Sequence, residues 1–490
     1  MTALPDFAAL KPLLDELPAT RSAEVTVLRY RVKLITPMLG GGVEAGVPDE
    51  RQPIRARSLR GQFRLWWRVL ARGGMFGSCV SQHNTPTPDD WRSWERSVWG
   101  GMGDKPDELA ASTIGLAVSE VTTPKRFDFD CAEFGVEMGR ERMSVKDAEH
   151  AHGWCKYVFF SAERRQDQPA KTLIAPGLQF TLAVSVKSTD PVRIKMVRQV
   201  VSFWASFGGI GSRTRRGAGA VQVTELLAGG QEALLCALTD GSAKRCKSIR
   251  VVAEPATASA YQAFKASIVP MIEFRQWPDL ARDGTKGSPR TYRLSHWPEA
   301  HEIRKAAGVS KPAHAPGVTG WAGRDYPMPR AAFGLPIVVH FKDRLNRTST
   351  ADDPRFDPAD RTILPVVNDV VLERMASPVI LRPIAVSASS FRPCTVLIDS
   401  SAMGDLPMES VSITSSDAAH ATNDVWAVWD ATWPAEALAV GGRLRPQALP
   451  WALSDHETAK GLPGEFSPAQ SAVEAFFNFR LVRAHAKSNP

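Results

Sequence analysis

The chemistry available to this chain is concentrated in arginine. Between Arg51 and Arg72 stand seven of them, Arg51, Arg55, Arg57, Arg60, Arg64, Arg68 and Arg72, with no acidic residue in between. A guanidinium is a planar fork of donors, suited to bidentate contact with phosphate and to stacking on bases, so the run reads as a surface for a nucleic-acid backbone. The other reading is a solvated basic face, or one paired with acids elsewhere in the fold. A second element places Gly208, Gly209, Gly211, Gly217 and Gly219 around Ser212, Arg213, Thr214, Arg215 and Arg216. Glycine admits positive φ and close backbone approach. Consecutive free N–H groups can form an anion-binding nest, to which three guanidiniums add charge. The loop is not a nucleotide motif: it lacks Gly-Lys-Ser/Thr, and Thr214 stands where GxGxxG needs its third glycine. A structural glycine turn is the alternative.

Neither element contains or closely adjoins a histidine, and neither gathers carboxylates, so binding is expected rather than catalysis, with no catalytic residue, cofactor or metal assigned. His150 and His296 are histidines that only the fold could bring near. Cys79, His83, His152 and Cys155 have spacings that can suit zinc, but isolated residues are the simpler reading. Six scattered cysteines without a CxxC pair indicate neither a disulfide framework nor a zinc ribbon. The balance of 60 Lys and Arg against 52 Asp and Glu, with a pI near 9.2, favours polyanionic partners. No apolar run approaches the roughly 20 residues of a membrane helix, and Met1 to Thr20 does not read as a signal peptide, so a soluble, cytoplasmic protein is expected.

The arginines need elements to carry them. Val25 to Ile35 alternates, with Leu28, Tyr30, Val32 and Leu34 on one side and Arg29, Arg31 and Lys33 on the other, the mark of a half-buried strand. Thr36-Pro37 and Gly40 to Gly42 then stop the strand and turn the chain. Leu59 to Leu70 reads as a helix with Leu59, Phe63, Trp66 and Leu70 inward and Arg57, Arg60, Arg64 and Arg68 on the flank. Ser58 is the expected N-cap, which puts the first arginines beside a helix N-terminus, a ready anion site. Trp66 is core, whereas Trp67, at the stripe's edge, either stacks on a base or closes the core.

Gly73 to Glu108 reads as an insertion anchored by Trp91, Trp94 and Trp99. Strands are expected at Ser112 to Val121, Leu178 to Lys187 and Val221 to Leu227, with a helix from Val192 to Phe207 ahead of the glycine loop. Past a linker near Gly229, short strands at 249–253, 335–341, 379–386 and 394–398 alternate with loops at 278–330 and 343–361, expected to be partly disordered. The order predicts an α+β protein with ferredoxin-like, RRM-like units. One domain is expected over 22–230, with its insertion near 73–110, and a second with long loops over 245–490.

Three segments resemble the RAMP superfamily of CRISPR proteins, and within it the large subunits that cap one end of type III-B Cmr complexes. They are Leu34 to Gly42, Pro53 to Arg68, and Gly208 to Gly219. Ala332 to Pro336 and Arg374 to Val379 are similar to pieces of the family's second domain. The second half lacks a clear glycine loop and has only Gly441-Gly-Arg-Leu-Arg445. The resemblance implies two RRM-like domains, partnership with other RAMP subunits, contact with the 3′ part of a guide RNA and its paired target RNA, and no nuclease activity. RNA-binding residues are then expected at Arg55, Arg57, Ser58, Arg60, Arg64, Trp67 and Arg68 and along Gly208 to Gly219. The rivals are a guide-processing endoribonuclease of the same superfamily and a protein-docking scaffold.

Replacing Arg213, Arg215 and Arg216 with Ala is expected to weaken binding of every RNA sequence alike and to flatten its salt dependence, as measured by filter binding over a salt series. A loss confined to one sequence would contradict positioning through phosphates.

Overall fold

The alternation after Val25 folds as its period dictates. In the computed structural model, strand β1 (Thr26–Leu34) buries Leu28, Tyr30, Val32 and Leu34 and turns Arg29, Arg31 and Lys33 to solvent. The structure describes residues 25–44, 46–49, 51–76, 88–102, 109–130, 153–164, 168–227, 248–276, 297–306, 328–341, 360–399, 410–415, 424–426 and 472–488, with isolated positions between them.

The first half continues with β2 (Met38–Leu39), α1 (Ala56–Arg72), α2 (Pro88–Trp99), β3 (Ile114–Ser119), β4 (Arg126–Asp128), α3 (Gly153–Phe159), β5 (Thr172–Ile174), β6 (Gln179–Val186), α4 (Pro191–Phe207) and β7 (Val221–Val223). Four strands form an antiparallel sheet in the order β3-β6-β1-β7. Helices α1 and α4 pack on its inner face, where Phe63 meets Trp204 edge-on at 5.2 Å and Trp66 lies 5.9 Å from Phe207. Helix α4 starts cleanly because Pro191 suits the first turn and the Asp190 carboxylate accepts from Val192 N at 2.9 Å. The segment after Gly73 supplies α2, tied down by Trp94 against Trp67 at 4.6 Å and Trp99 against Phe63 at 6.4 Å.

The second half contains β8 (Ile249–Ala253), α5 (Ala260–Gln276), α6 (Glu299–Ala306), β9 (Ile337–Val339), β10 (Arg361–Val367), β11 (Val370–Val371), β12 (Val379–Ala385), β13 (Phe391–Ile398), β14 (Ser410–Ser415), β15 (Asp424–Trp426) and α7 (Ala472–Ser488). Helix α6 stands inside a stretch expected to be loop, while the linker after Ala228 and Gly441 to Arg445 lie outside the described residues. An antiparallel sheet in the order β12-β13-β8 is buried on both faces. Ile380 and Ile384 join the core of the first half, whereas Val379 and Leu381 join a cluster with α5 and α7. The layers are therefore sheet, helices α1 and α4, sheet, helices α5 and α7. Strands β9, β10, β11, β14 and β15 form a separate sheet with its own small core around Leu335, Ile363 and Ile413.

Charge is buried in the inner sheet. Arg480 of α7 donates to the Glu254 carboxylate at 2.5 Å and to Thr395 Oγ1 at 2.7 Å. Arg382 of β12 donates to Ala205 O of α4 at 3.1 Å, and burial pulls it down to about 9. Removing one member of such a pair leaves an uncompensated buried charge, whereas removing both leaves an apolar layer. Glu254→Leu is expected to destabilise by roughly 3–5 kcal/mol, and Glu254→Leu with Arg480→Met by much less. Denaturant unfolding of the three proteins checks the order.

Candidate nucleic-acid interface

Thr36-Pro37 does more than end a strand. The buried Thr36 hydroxyl donates to Gly217 O at 2.7 Å and accepts from Ala220 N at 2.8 Å. Gly219 N donates to Pro37 O at 2.8 Å and Ser212 N to Leu39 O at 2.7 Å. From the other side Gln62 of α1 accepts from Gly209 N at 3.3 Å and from the Trp204 ring N–H at 3.1 Å. The glycine-rich loop is thus laced to the chain after β1 and to α1. Thr36 and Gln62 were not chosen from the sequence. Their signal was a polar side chain placed where the pattern points inward.

This lacing corrects the expectation of a nest of free N–H groups. Gly209, Ile210, Ser212, Arg216, Gly217, Ala218 and Gly219 all spend their N–H inside the protein. The glycines serve close packing of chain on chain. At Gly219, with φ +64°, a Cβ would lie 1.8 Å from Ile210 O, and at Gly211, with φ +78°, 2.6 Å from Leu39 O.

Where these pieces meet, Gly41, Gly42, Arg55, Ser58, Gly211 and Ser212 line a cleft of about 170 Å³. It opens at the start of α1, whose N-cap is Arg55 rather than Ser58, because the helix begins at Ala56, three residues earlier than expected. Arg55 is extended, no side chain caps the helix, and its first turn holds no acid. The positive end of the helix dipole therefore faces the cleft undiminished, a setting that favours an anion. Arg57 and Ser58 are exposed at this end. Arg55 is held at 2.8 Å by Asp49, whose carboxyl is pulled down to about 2 by the Gln52 N–H, the Arg55 side chain and the Arg51 N–H.

The rest of the arginine ridge has a different job. Arg60 donates to Trp99 O at 2.9 Å and Ile114 O at 3.4 Å. Arg64 and Arg68 each reach Glu95 of α2 at 2.7 Å. Two arginines of the run with no acid in its own sequence share one carboxylate from the insertion. Glu95 is only 9% exposed; burial would raise its carboxyl, but the hydrogen bonds and charges of Arg68 and Arg64 outweigh this and hold it below the ordinary value. Trp67 is 2% exposed between Trp94 and Phe76, which closes the core and leaves no face for a base.

The three loop arginines also touch protein. Arg213 lies 4.4 Å over the Phe160 ring; Arg216 lies 4.7 Å over Tyr157 and donates to its carbonyl at 3.0 Å; Arg215 donates to Ser377 O of the second half. Thr214 opens the short 3₁₀ turn through Arg216, and Gly208 ends α4 on Trp204 O at 2.7 Å. Burial, then the charge of Arg216, pulls Arg213 down to about 10, with Tyr157 opposing and Arg374 adding to the fall, so it stays charged at neutral pH. Cys79, His83 and His152 lie outside the described residues, and Cys155 is buried among Trp154 and Phe159. Among the described residues no group of three metal-ligating side chains forms, and no helix is long and apolar enough to cross a membrane.

Residues 31–222 match the model of the RAMP superfamily. A relative, CRISPR system Cmr subunit Cmr1-2 of Pyrococcus furiosus, is 24% identical over 207 residues, 40% of this chain and 95% of that protein. Among solved structures, apo Cmr1 from Pyrococcus furiosus aligns over 76% of this chain and 88% of its own at 15% identity and a TM-score of 0.36. A chain of a type III-B Cmr-beta complex with cognate target RNA and AMPPnP aligns over 77% and 94% at 11% identity and a TM-score of 0.32.

The Glu95 clamp has a pH signature. Its folded carboxyl titrates below the ordinary value of 4.5, so the stability it contributes is present above that value and is lost as pH falls through the folded one. Glu95→Gln is expected to cost about 2–3 kcal/mol at neutral pH, less than a fully buried pair because both arginines are partly exposed. It should also flatten the acid side of the stability profile, as read from melting temperatures between pH 3 and 7.

Proposed function

We propose that this chain, a member of the RAMP superfamily through residues 31–222, is a non-catalytic RNA-binding subunit of a type III-B CRISPR effector complex. In this reading it assembles with other RAMP subunits at one end of the complex and holds the 3′ part of the guide RNA and its paired target. The observation that carries the RNA role is the uncapped start of α1, opening on a cleft walled by Gly41, Gly42, Arg55, Gly211 and Ser212, with the exposed Arg57 in the same first turn as the lining residue Ser58. A helix N-terminus beside close-approaching backbone and a free guanidinium is suited to a phosphate, and phosphate contact positions a strand without reading its sequence. Sequence would then be read by pairing between guide and target.

The topology supports two RRM-like units. In the first, strand, helix, two strands, helix and strand form a sheet whose fourth strand, β7, lies outside β1. The second repeats strand, helix, two strands and helix, and β12-β13-β8 has the same relative order as β3-β6-β1. Binding is preferred to RNA cleavage because the cleft lining carries neither imidazole nor carboxylate.

Arg57 isolates the RNA role from folding, since Arg60, Arg64, Arg68, Arg213, Arg215 and Arg216 also hold protein contacts. Arg57→Ala is expected to weaken binding of unrelated RNAs by the same factor, to lower the slope of log K against log salt by about one, and to leave the melting temperature unchanged. Sequence-dependent loss, or metal-independent cutting of a labelled repeat transcript by the wild type, would sink the reading.

A further inference from the structure

Phe160 is out of place for its neighbourhood. Trp154, Val158 and Phe159 of the same segment are buried, yet Phe160, opening the 3₁₀ turn Phe160–Ala162, is 42% exposed. It is the one aromatic among the exposed large hydrophobic residues of the described structure. Arg213 covers one side of the ring at 4.4 Å. To stand there Arg213 adopts φ +61°, a left-handed conformation that disfavours any side chain and that glycine, abundant in this loop, would take without strain. The strained position holds an arginine all the same.

The surroundings are cationic. Arg213 has no carboxylate partner among the described residues, and Arg215 and Arg216 follow it after Thr214. The segment bearing the exposed Arg374 comes in from the second half, pinned where Arg215 donates to Ser377 O. Glu163, the nearest acid in sequence to Phe160, is taken by Lys156 at 2.5 Å. An exposed ring carrying a stacked guanidinium and flanked by further arginines matches an unpaired nucleobase followed by its phosphates better than it matches an apolar protein surface.

We propose that Phe160 and Arg213 form a stacking platform for one unpaired base of bound RNA, with Arg374 of the second half on the adjacent phosphate. The inference rests on the RNA-binding reading and adds to it a base-contacting subsite away from the cleft. Ser212 lines the cleft and Arg213 the platform, consecutive residues about 3.8 Å apart at Cα, so a single strand can engage both.

The test uses the full chain and single-stranded RNAs carrying 2-aminopurine at successive positions. Wild type should quench the probe at one position. Phe160→Leu, which keeps an apolar side chain at an exposed site, should abolish that quench and weaken affinity about tenfold, while Phe160→Trp should preserve both. Arg374→Ala should weaken affinity with the quench intact. Equal quenching and affinity for wild type and Phe160→Leu, at equal melting temperature, would overturn the platform and leave the phosphate cleft standing. Unchanged RNA binding with loss of a neighbouring subunit on co-purification would also overturn it, by making the ring a protein contact. Failure of the wild type to bind any RNA would remove both readings.

Discussion

The hydroxyl of Thr36 sits at the point where the chain leaves the first sheet and where it returns to it. By donating to Gly217 O and accepting from Ala220 N it satisfies two backbone groups at the C-terminal end of the glycine-rich loop, in a place sealed from water. A buried backbone group left unpaired costs on the order of 1–3 kcal/mol, so two such groups meeting on one hydroxyl make the loop's path nearly compulsory. Everything functional in the first half follows from that path. Ser212 is brought beside Leu39, Gly211 against the end of β2, and the start of α1 against both. The cleft is what remains when three backbone segments pack as closely as glycine allows.

The arginines divide by what the fold offers them. Those on the flank of α1 meet the Glu95 carboxylate and backbone carbonyls and become a clamp, and Arg55 at the helix start is held by Asp49, while Arg57 and the glycine-loop arginines meet solvent, ring faces or a carbonyl. A cation stacked on a ring has spent less of its charge than one in a bidentate ion pair. It keeps attraction for a phosphate that arrives later. Deeper in the molecule Arg382 and Arg480 have no such freedom: they tie the inner sheet to the helices on either side of it, Arg382 through a carbonyl of α4 and Arg480 from α7 through Glu254. The same residue type thus serves cohesion between layers and attraction at the surface, and what separates the two roles is burial together with the nearness of an acid.

Much of the fold was legible because local periodicity survives into tertiary structure. The alternation of β1 and the stripe of α1 have one face in the core and one outside it, the condition under which a pattern in sequence reports a position in space. The reading fails where that condition fails. Helix α5 is apolar on several sides and contains Pro270, so it has no single stripe, and a proline that reads as a breaker sits inside it. Helix α6 lies in a stretch whose composition is that of a loop.

The sequence by itself determined that arginine would dominate the chemistry, that a helix and a glycine loop would carry it, and that the first half would be strands with helices on one face. These follow from side-chain type and short-range spacing. Only the tertiary structure decided which arginines are available. Glu95, some thirty residues from its partners, engages both Arg64 and Arg68, and Phe160, over fifty residues from Arg213, supplies its ring. Electrostatic pairing depends on distance through space, and no period in the chain encodes it. The use of the loop's N–H groups was settled the same way, by which carbonyls the folded backbone brought within reach.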